Sequence, residues 1–325
     1  MNDRAVGLLD QYDIEVHRTG KGRGAILCDT ERGRLIFKEY TGNETKIALQ
    51  DKILQQIAAD GNVQVEQIIP NKEGRLLVKD NDGISYVLKT WVDGRECNIY
   101  EKTECLEAVR LLARLHNSME KNVAEETVPL GNPAGEYEKH NRELRRVKKF
   151  LARKGQKTLF EISLQNAFDS FLNQAVEVAQ EWQTYSHLAK GQPECGSLCH
   201  GDYQYHNIIK SEENFYIINF EKCIRDNPIR DLYLLLRKLL EKSNWSITQG
   251  KELIAAYEEI RPMSAYSRID LYYRLAYPEK FWKIANFYYN SGKAWIPERN
   301  LEKLNKLLVQ EPQKQVFLDT VFRNV

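Results

Sequence analysis

No run of apolar residues in the chain is long enough to cross a bilayer, so a spanning helix is excluded. Charge of one sign is also missing: the net charge is +1 over 325 residues, which points to neither a nucleic-acid nor a membrane partner. Cysteine is sparse and unpaired in pattern. None of Cys28, Cys97, Cys105, Cys195, Cys199 and Cys223 sits in a C-x-x-C. Cys195 and Cys199 lie next to His200, but no second ligand pair stands at zinc spacing. All six are expected as reduced thiols of an intracellular, cytoplasmic chain. Met1 to Asp13 is polar and acidic and lacks an apolar signal core. Internal repeats and low-complexity tracts are absent too. The length suits one large or two modest domains, enough to bury a core.

What is present concentrates between Leu198 and Glu221. L-C-H-G-D-Y-Q-Y-H-N-I-I places His200, Asp202 and Asn207 in a loop that ends in the apolar pair Ile208 and Ile209. A polar turn S-E-E-N follows, then a β-rich run from Phe215 to Phe220 that contains Asn219. Two short strands joined by a polar turn would bring Asp202, Asn207 and Asn219 together. Phosphoryl transfer needs such a trio, one carboxylate to orient the attacking hydroxyl and two oxygen ligands to hold Mg²⁺ on the phosphates.

Upstream, Ile14 and Val16 alternate with charged residues, and G-K-G-R-G spans Gly20, Gly22 and Gly24. Strand residues Ala25 to Leu27 follow, then the turn D-T-E-R-G and the run L-I-F-K-E-Y. A glycine-rich hairpin lets backbone N–H groups approach phosphates, although glycines between strands commonly just make turns. Lys38 sits within the returning strand, where an ammonium could neutralise phosphates; the alternative is a solvent-facing strand lysine. Glu44 to Ala59 has the apolar period of a helix. Leu76–Val78 and Ile84–Leu88 predict a hairpin around K-D-N-D-G. The segment K-T-W-V-D-G-R-E-C then leads into a helix from about Thr103 to Met119, on which His116 reads as a packing or capping residue.

Residues 120 to 194 read as an insertion-like segment: a loop V-P-L-G-N-P-A-G, then helices from Tyr137 to Lys154 and Leu159 to His187. The first carries a basic stripe including Lys139, Arg142, Arg145, Arg146, Lys148, Lys149 and Arg153. It could dock an anionic partner, but a solvated face explains it as simply. After the central stretch, N-P-I-R-D-L-Y-L-L-L begins with a turn and enters an apolar helix, with Asp231 near its start, where a carboxylate suits the helix dipole. The last third predicts helices over Gln249–Ile260, Arg268–Tyr289 and Glu298–Leu308, and its aromatic stripe reads as core.

H-G-D-x-x-x-x-N followed by a strand and I-x-F resembles the catalytic and metal loops of aminoglycoside and choline phosphotransferases, within the protein-kinase-like superfamily. L-A-Y-P-E-K-F-W-K-I-A-N-F-Y-Y-N, together with H-G-D-Y-x-Y-H-N, resembles the CotS-type spore-coat branch, over about residues 10 to 310. The resemblance implies an α+β, bilobal kinase-like fold. Residues 1–92 would form a small antiparallel β lobe with one helix, which binds the nucleotide. Residues 93–325 would form a larger helical lobe carrying the catalytic loop. It implies ATP or GTP and Mg²⁺ as cofactors and an unidentified hydroxyl acceptor. Asp202 would be catalytic, Lys38 would hold the phosphates, and Trp91 and Val92 would line an adenine-binding hinge. Asn207 and Asn219 would meet the metal, His200 and Asp231 would be structural. Asn219 departs from the family's metal-binding Asp; Glu221, two residues on, would compensate if the strand continued. The family's acidic partner for the strand lysine has three candidate places here, Glu44, Asp51 or the register occupied by Gln50. Two functions follow, a hydroxyl kinase or a catalytically silent fold that works in assembly of the spore coat alongside other coat proteins.

Overall fold

A computed structural model describes residues 3–22, 24–120, 128–186, 194–212, 214–291 and 297–323. Contacts divide the chain into two units: Met1–Thr127 with His200–Cys223, and Val128–Cys199 with Ile224–Val325.

In the first unit, a 3-10 helix (Asp3–Gln11) precedes β1 (Val16–Gly22), β2 (Ala25–Thr30) and β3 (Gly33–Glu39). Its turn packs Ala5, Leu9 and Tyr12 into the core with Phe37, Tyr86 and Leu88. β3 pairs antiparallel with β7 (Ser85–Thr90), which also pairs with β5 (Ile68–Ile69) and β6 (Val78–Lys79). Side chains alternate along β3, so Leu35 and Phe37 enter the core while Ile36 and Lys38 share the other face. Lys89 is the Cα partner of Ile36 and therefore stands on the Lys38 face. α1 (Glu44–Asp60) starts because the Asn43 side chain accepts the Lys46 N–H, and it stops at left-handed Gly61. Its buried positions Ile47, Gln50, Ile53, Leu54 and Ile57 recur at helical spacing. A second sheet runs β4 (Gln64–Val65), β11 (Asn214–Ile217), β10 (Ile208–Ser211), β8 (Arg95–Glu96). α2 (Lys102–Glu120) completes the unit, with His116 buried on it.

In the second unit, α3 (Pro133–Arg153) begins inside the expected loop. Pro133 occupies its first turn and Asn132 accepts the Gly135 N–H, so G-N-P-A-G punctuation here starts a helix. The basic stripe on α3 is exposed, while Tyr137, Asn141, Leu144, Val147 and Leu151 are buried. α4 (Leu159–Ser186) follows; His187 lies outside the described residues. β9 (Ser197–Cys199) and β12 (Ile224–Asp226) pair antiparallel. α5 (Ile229–Lys242) and α6 (Ile247–Glu258) follow. The expected single helix Arg268–Tyr289 is two, α7 (Ala265–Ala276) and α8 (Glu279–Asn290), broken at Tyr277 and Pro278. Proline lacks the N–H and clashes with the preceding turn, and here that ends the helix. In α9 (Pro297–Val321), Pro312 is tolerated internally, and the helix outruns the expected end at Leu308. Phe281 stacks on Phe171 and meets Phe168 edge-on, placing part of the aromatic stripe in the core. Phe287 and Tyr289 stay exposed. Among the described residues no helix is long and apolar enough to span a membrane.

Candidate active site

The loop after β9 is shaped by one glycine. Gly201 has φ +79, and a Cβ there would lie 1.9 Å from the Lys222 carbonyl oxygen. Only glycine permits this approach of the 200–202 backbone to the 220–222 turn. His200 is buried; its Nδ1 accepts the Asp202 N–H (3.2 Å) and its Nε2 reaches the Ile218 carbonyl (3.1 Å). These partners put the ring proton on Nε2. Tyr203, fully buried, donates its hydroxyl to the Ala108 carbonyl of α2 at 2.8 Å. The loop is thus fastened from both sides.

Asp202, Asn207 and Asn219 are linked within this unit. Asn207 Nδ2 donates to the Asp202 carbonyl (2.8 Å), and Asn219 Nδ2 donates to Asn207 Oδ1 (2.8 Å). Lys38 Nζ donates to Asn219 Oδ1 at 3.0 Å, across 181 residues of sequence. The Asp202 carboxylate accepts Gln204 Nε2 (2.6 Å) and pairs with Lys222 Nζ (2.8 Å). Burial pushes this carboxyl up, but the bonds from Lys222 and Gln204 outweigh it and hold it below its ordinary value.

The Phe215–Phe220 strand is shorter than expected. β11 ends at Ile217, and Asn219 takes a left-handed conformation (φ 67°, ψ 59°) before a 3-10 turn at Phe220–Lys222. Asn is among the few side chains that adopt this region readily. Continuation of the strand to Glu221 is therefore corrected: the turn redirects its side chain to two lysines. Glu221 Oε1 lies 2.7 Å from Lys38 Nζ and 2.8 Å from Lys89 Nζ. Burial would raise the Glu221 pKa, but the Lys89 and Lys38 charges draw it down to about 2.

Lys89 is completely buried and also meets Glu66 Oε1 at 2.9 Å. Burial disfavours its charge, yet Glu66 and Glu221 more than compensate and raise its pKa. Glu66 also accepts the Asn219 N–H at 2.8 Å. The carboxylate of Lys38 thus comes from the 3-10 turn, not from α1. Asp51 accepts from Gln55, Glu44 is exposed, and Gln50 accepts the Tyr40 hydroxyl. Sequence reasoning missed Glu66 and Lys89. A lone acid between V-Q-V and I-I, and a lysine ending an otherwise apolar β7 run, are the only signals either carries.

Other candidates stand apart from this network. Gly20 and Gly22 lie in β1, and Gly24, at φ +72, makes the turn into Ala25, the Cα partner of Lys38. Trp91 is exposed and donates its indole N–H to Asp93; Val92 is half-buried. Among the described residues none of these joins the Lys38 network by a hydrogen bond or ion pair. Asp231 belongs to the second unit, fully buried in the first turn of α5.

The profile of the family described as "Spore coat putative kinase YutH" matches residues 6–321. The chain belongs to this family. It is 25% identical to spore coat protein S of Bacillus subtilis (strain 168) over 319 residues, covering 96% of this chain and 90% of that one. Its fold is kinase-like, α+β and mostly helical. An aminoglycoside phosphotransferase from Alicyclobacillus acidocaldarius superposes with a TM-score of 0.85 at 19% identity, covering 97% of this chain and 94% of that one. Spectinomycin phosphotransferase APH(9)-Ia, in complex with ADP and spectinomycin, has a TM-score of 0.68 at 14% identity, covering 97% and 99%. Amicoumacin kinase hAmiN, in complex with AMP-PNP, Ca²⁺ and Ami, has 0.65 at 11%, covering 97% and 94%.

For this family member, the metal implied by the fold meets a poor donor set. Mg²⁺ prefers charged oxygens in octahedral array. The oxygens of Asn207 and Asn219 already accept from Asn219 and Lys38. Asp202 and Glu221 are each ion-paired. Among the described residues no three His, Cys, Asp or Glu side chains are grouped to hold a metal. The residues present do not fit a divalent cation.

Proposed function

We propose that this spore coat kinase-family protein holds an ATP or GTP phosphate chain against Lys38, transfers phosphate to a hydroxyl acceptor slowly or not at all, and serves the coat as an assembly component with other coat proteins. The observation that carries this reading is the engagement of Asp202. Its carboxylate, the group that would orient an acceptor hydroxyl, is held by Lys222 and Gln204. Nucleotide binding is supported by Lys38 on β3 beside the glycine turn, and by the nucleotide-bound neighbours. Weak turnover is supported by an amide at position 219, which lacks the charge that offsets a metal and triphosphate.

One observation favours an active hydroxyl kinase as a second reading. Lys222 is 67% exposed, and an exposed ion pair opens at little cost. Thermal melting with ATP, with a parallel phosphate-release assay, separates the readings. A ligand that binds only the native state raises the melting temperature. A shift without release supports the scaffold. A shift with release at the roughly 1–100 per second typical of kinases supports the enzyme. No shift with ATP, and none with GTP in the same assay, means that the protein binds neither nucleotide.

A further inference from the structure

The direction of the hydrogen bonds through Asn219 and Asn207 is fixed at both ends. A lysine ammonium can only donate, so the atom of Asn219 that faces Lys38 must be Oδ1. The amide NH₂ of Asn219 then points at Asn207, whose facing atom must be Oδ1. The NH₂ of Asn207 in turn meets the Asp202 carbonyl, which can only accept. Neither amide can be flipped without setting donor against donor or acceptor against acceptor.

A divalent cation between positions 207 and 219 would need both oxygens at once. Each oxygen already spends one lone pair on a hydrogen bond, so the cation would be wedged against Asn219 Nδ2 and would face the Lys38 ammonium, a second positive charge. The charges agree. Lys38, Lys89 and Lys222 face Glu66, Glu221 and Asp202, each within an ion pair, so none of these three carboxylates is left without a cation. From this, and resting on the kinase-type reading of the site, we infer that the protein works without a divalent cation there: Lys38 and the Asn219–Asn207 amide pair join the elements a metal would join. Aspartate at 219 would reverse this. Its second oxygen would face Asn207 Oδ1 at the distance now spanned by a hydrogen bond, acceptor against acceptor, and a cation would resolve the conflict.

Mn²⁺ titration of the full chain, read by electron paramagnetic resonance without nucleotide, tests this. Wild type should bind no Mn²⁺ that Asn207→Ala removes. Asn219→Asp should gain one site at least about tenfold tighter, since affinity follows the charge of the ligands, and adding Asn207→Ala should abolish it. Wild-type binding lost on Asn207→Ala overturns the inference. So does a folded Asn219→Asp protein with no gain. If Asn219→Asp fails to fold, the wild-type and Asn207→Ala titrations still decide. The nucleotide reading is scored separately by ATP-induced melting shifts in EDTA; its failure leaves the Mn²⁺ result standing.

Discussion

Each unit buries a cluster of charges, and the two are built differently. In the first, Lys89, Glu66, Glu221 and Lys38 join β3, β7, the β4–β5 link and the 220–222 turn, and no side-chain atom of these four is buried without a partner. In the second, Arg274 meets Asp226 (2.9 Å) and Asp270 (2.7 Å), but Asp270 Oδ2 lacks a hydrogen-bond partner among the described residues. Environment then divides the carboxyls. Glu221 falls to about 2 because two ammonium charges overcome its burial, whereas burial of Asp270 wins against Arg274 and lifts it to about 6. A buried charge gains from the fold only when its neighbours answer it in full.

The largest expected effect tests the first cluster. Lys89→Met removes the ammonium shared by Glu66 and Glu221 and leaves buried charge unanswered, so urea unfolding should show a loss of about 3–5 kcal/mol. Asp270→Asn at neutral pH should cost clearly less, because that carboxylate is already disfavoured where it sits. Equal losses would erase the contrast between the two clusters.

Acid should drive the clusters in opposite directions. Asp270, raised from 3.8 to about 6, penalises the folded state above its folded pKa; the penalty, on the order of 3 kcal/mol, is relieved as pH falls from about 6 toward 4. Glu221, lowered from 4.5 to about 2, stabilises fully above 4.5, and that stability is lost as pH falls toward 2. Hydrogen exchange, corrected for intrinsic rates, should show α7 more protected at pH 4.5 than at pH 7, with β7 hardly changed. Loss of α7 protection over that window would contradict the environment assigned to Asp270.

Gly201 sharpens the geometry of the first unit. Gly201→Ala must accept a positive φ and a Cβ 1.9 Å from a backbone oxygen. Strain of this kind costs about 1–3 kcal/mol, and the 220–222 turn that carries Glu221 should shift with it. A melting temperature equal to wild type would show that the loop has another arrangement available.

The parts legible in the sequence are those with a period or a fixed spacing. The alternating run through Lys38 and the helical period of α1 lie where the sequence puts them; Asn219, Asn207 and the Asp202 carbonyl are joined by hydrogen bonds, while the Asp202 carboxylate turns to Gln204 and Lys222. Glu66 escaped because strands of two residues have no period to read. Lys89 escaped because β7 is buried on both faces, so its charge looks like a strand end while its ammonium is enclosed. The target of Glu221 escaped because a single left-handed residue, Asn219, ended the alternation that would have aimed it. The α7–α8 break shows the same limit: Pro278 ends one helix while Pro312 leaves another intact, since the surroundings and not the residue alone decide whether the lost N–H can be tolerated.

The smallest expected effect bears most directly on activity. Lys222, exposed, pairs with Asp202 at the loop end of the hydrogen-bonded network that runs from Lys89 through Glu221, Lys38, Asn219 and Asn207. Exposure and side-chain entropy limit such a pair to under about 1 kcal/mol, so Lys222→Ala should barely move the unfolding midpoint. Its consequence is for Asp202 itself. With the Lys222 hydrogen bond and charge gone, and Gln204 and His200 left to favour the charged form against burial, the carboxyl pKa should rise, a change visible by NMR titration of a labelled aspartate. If Lys222 is what withholds the carboxylate from an acceptor hydroxyl, phosphate release should rise above wild type. If release stays at background while the Asp202 midpoint moves as expected, the barrier to turnover lies at Asn219 and not at the exposed lysine.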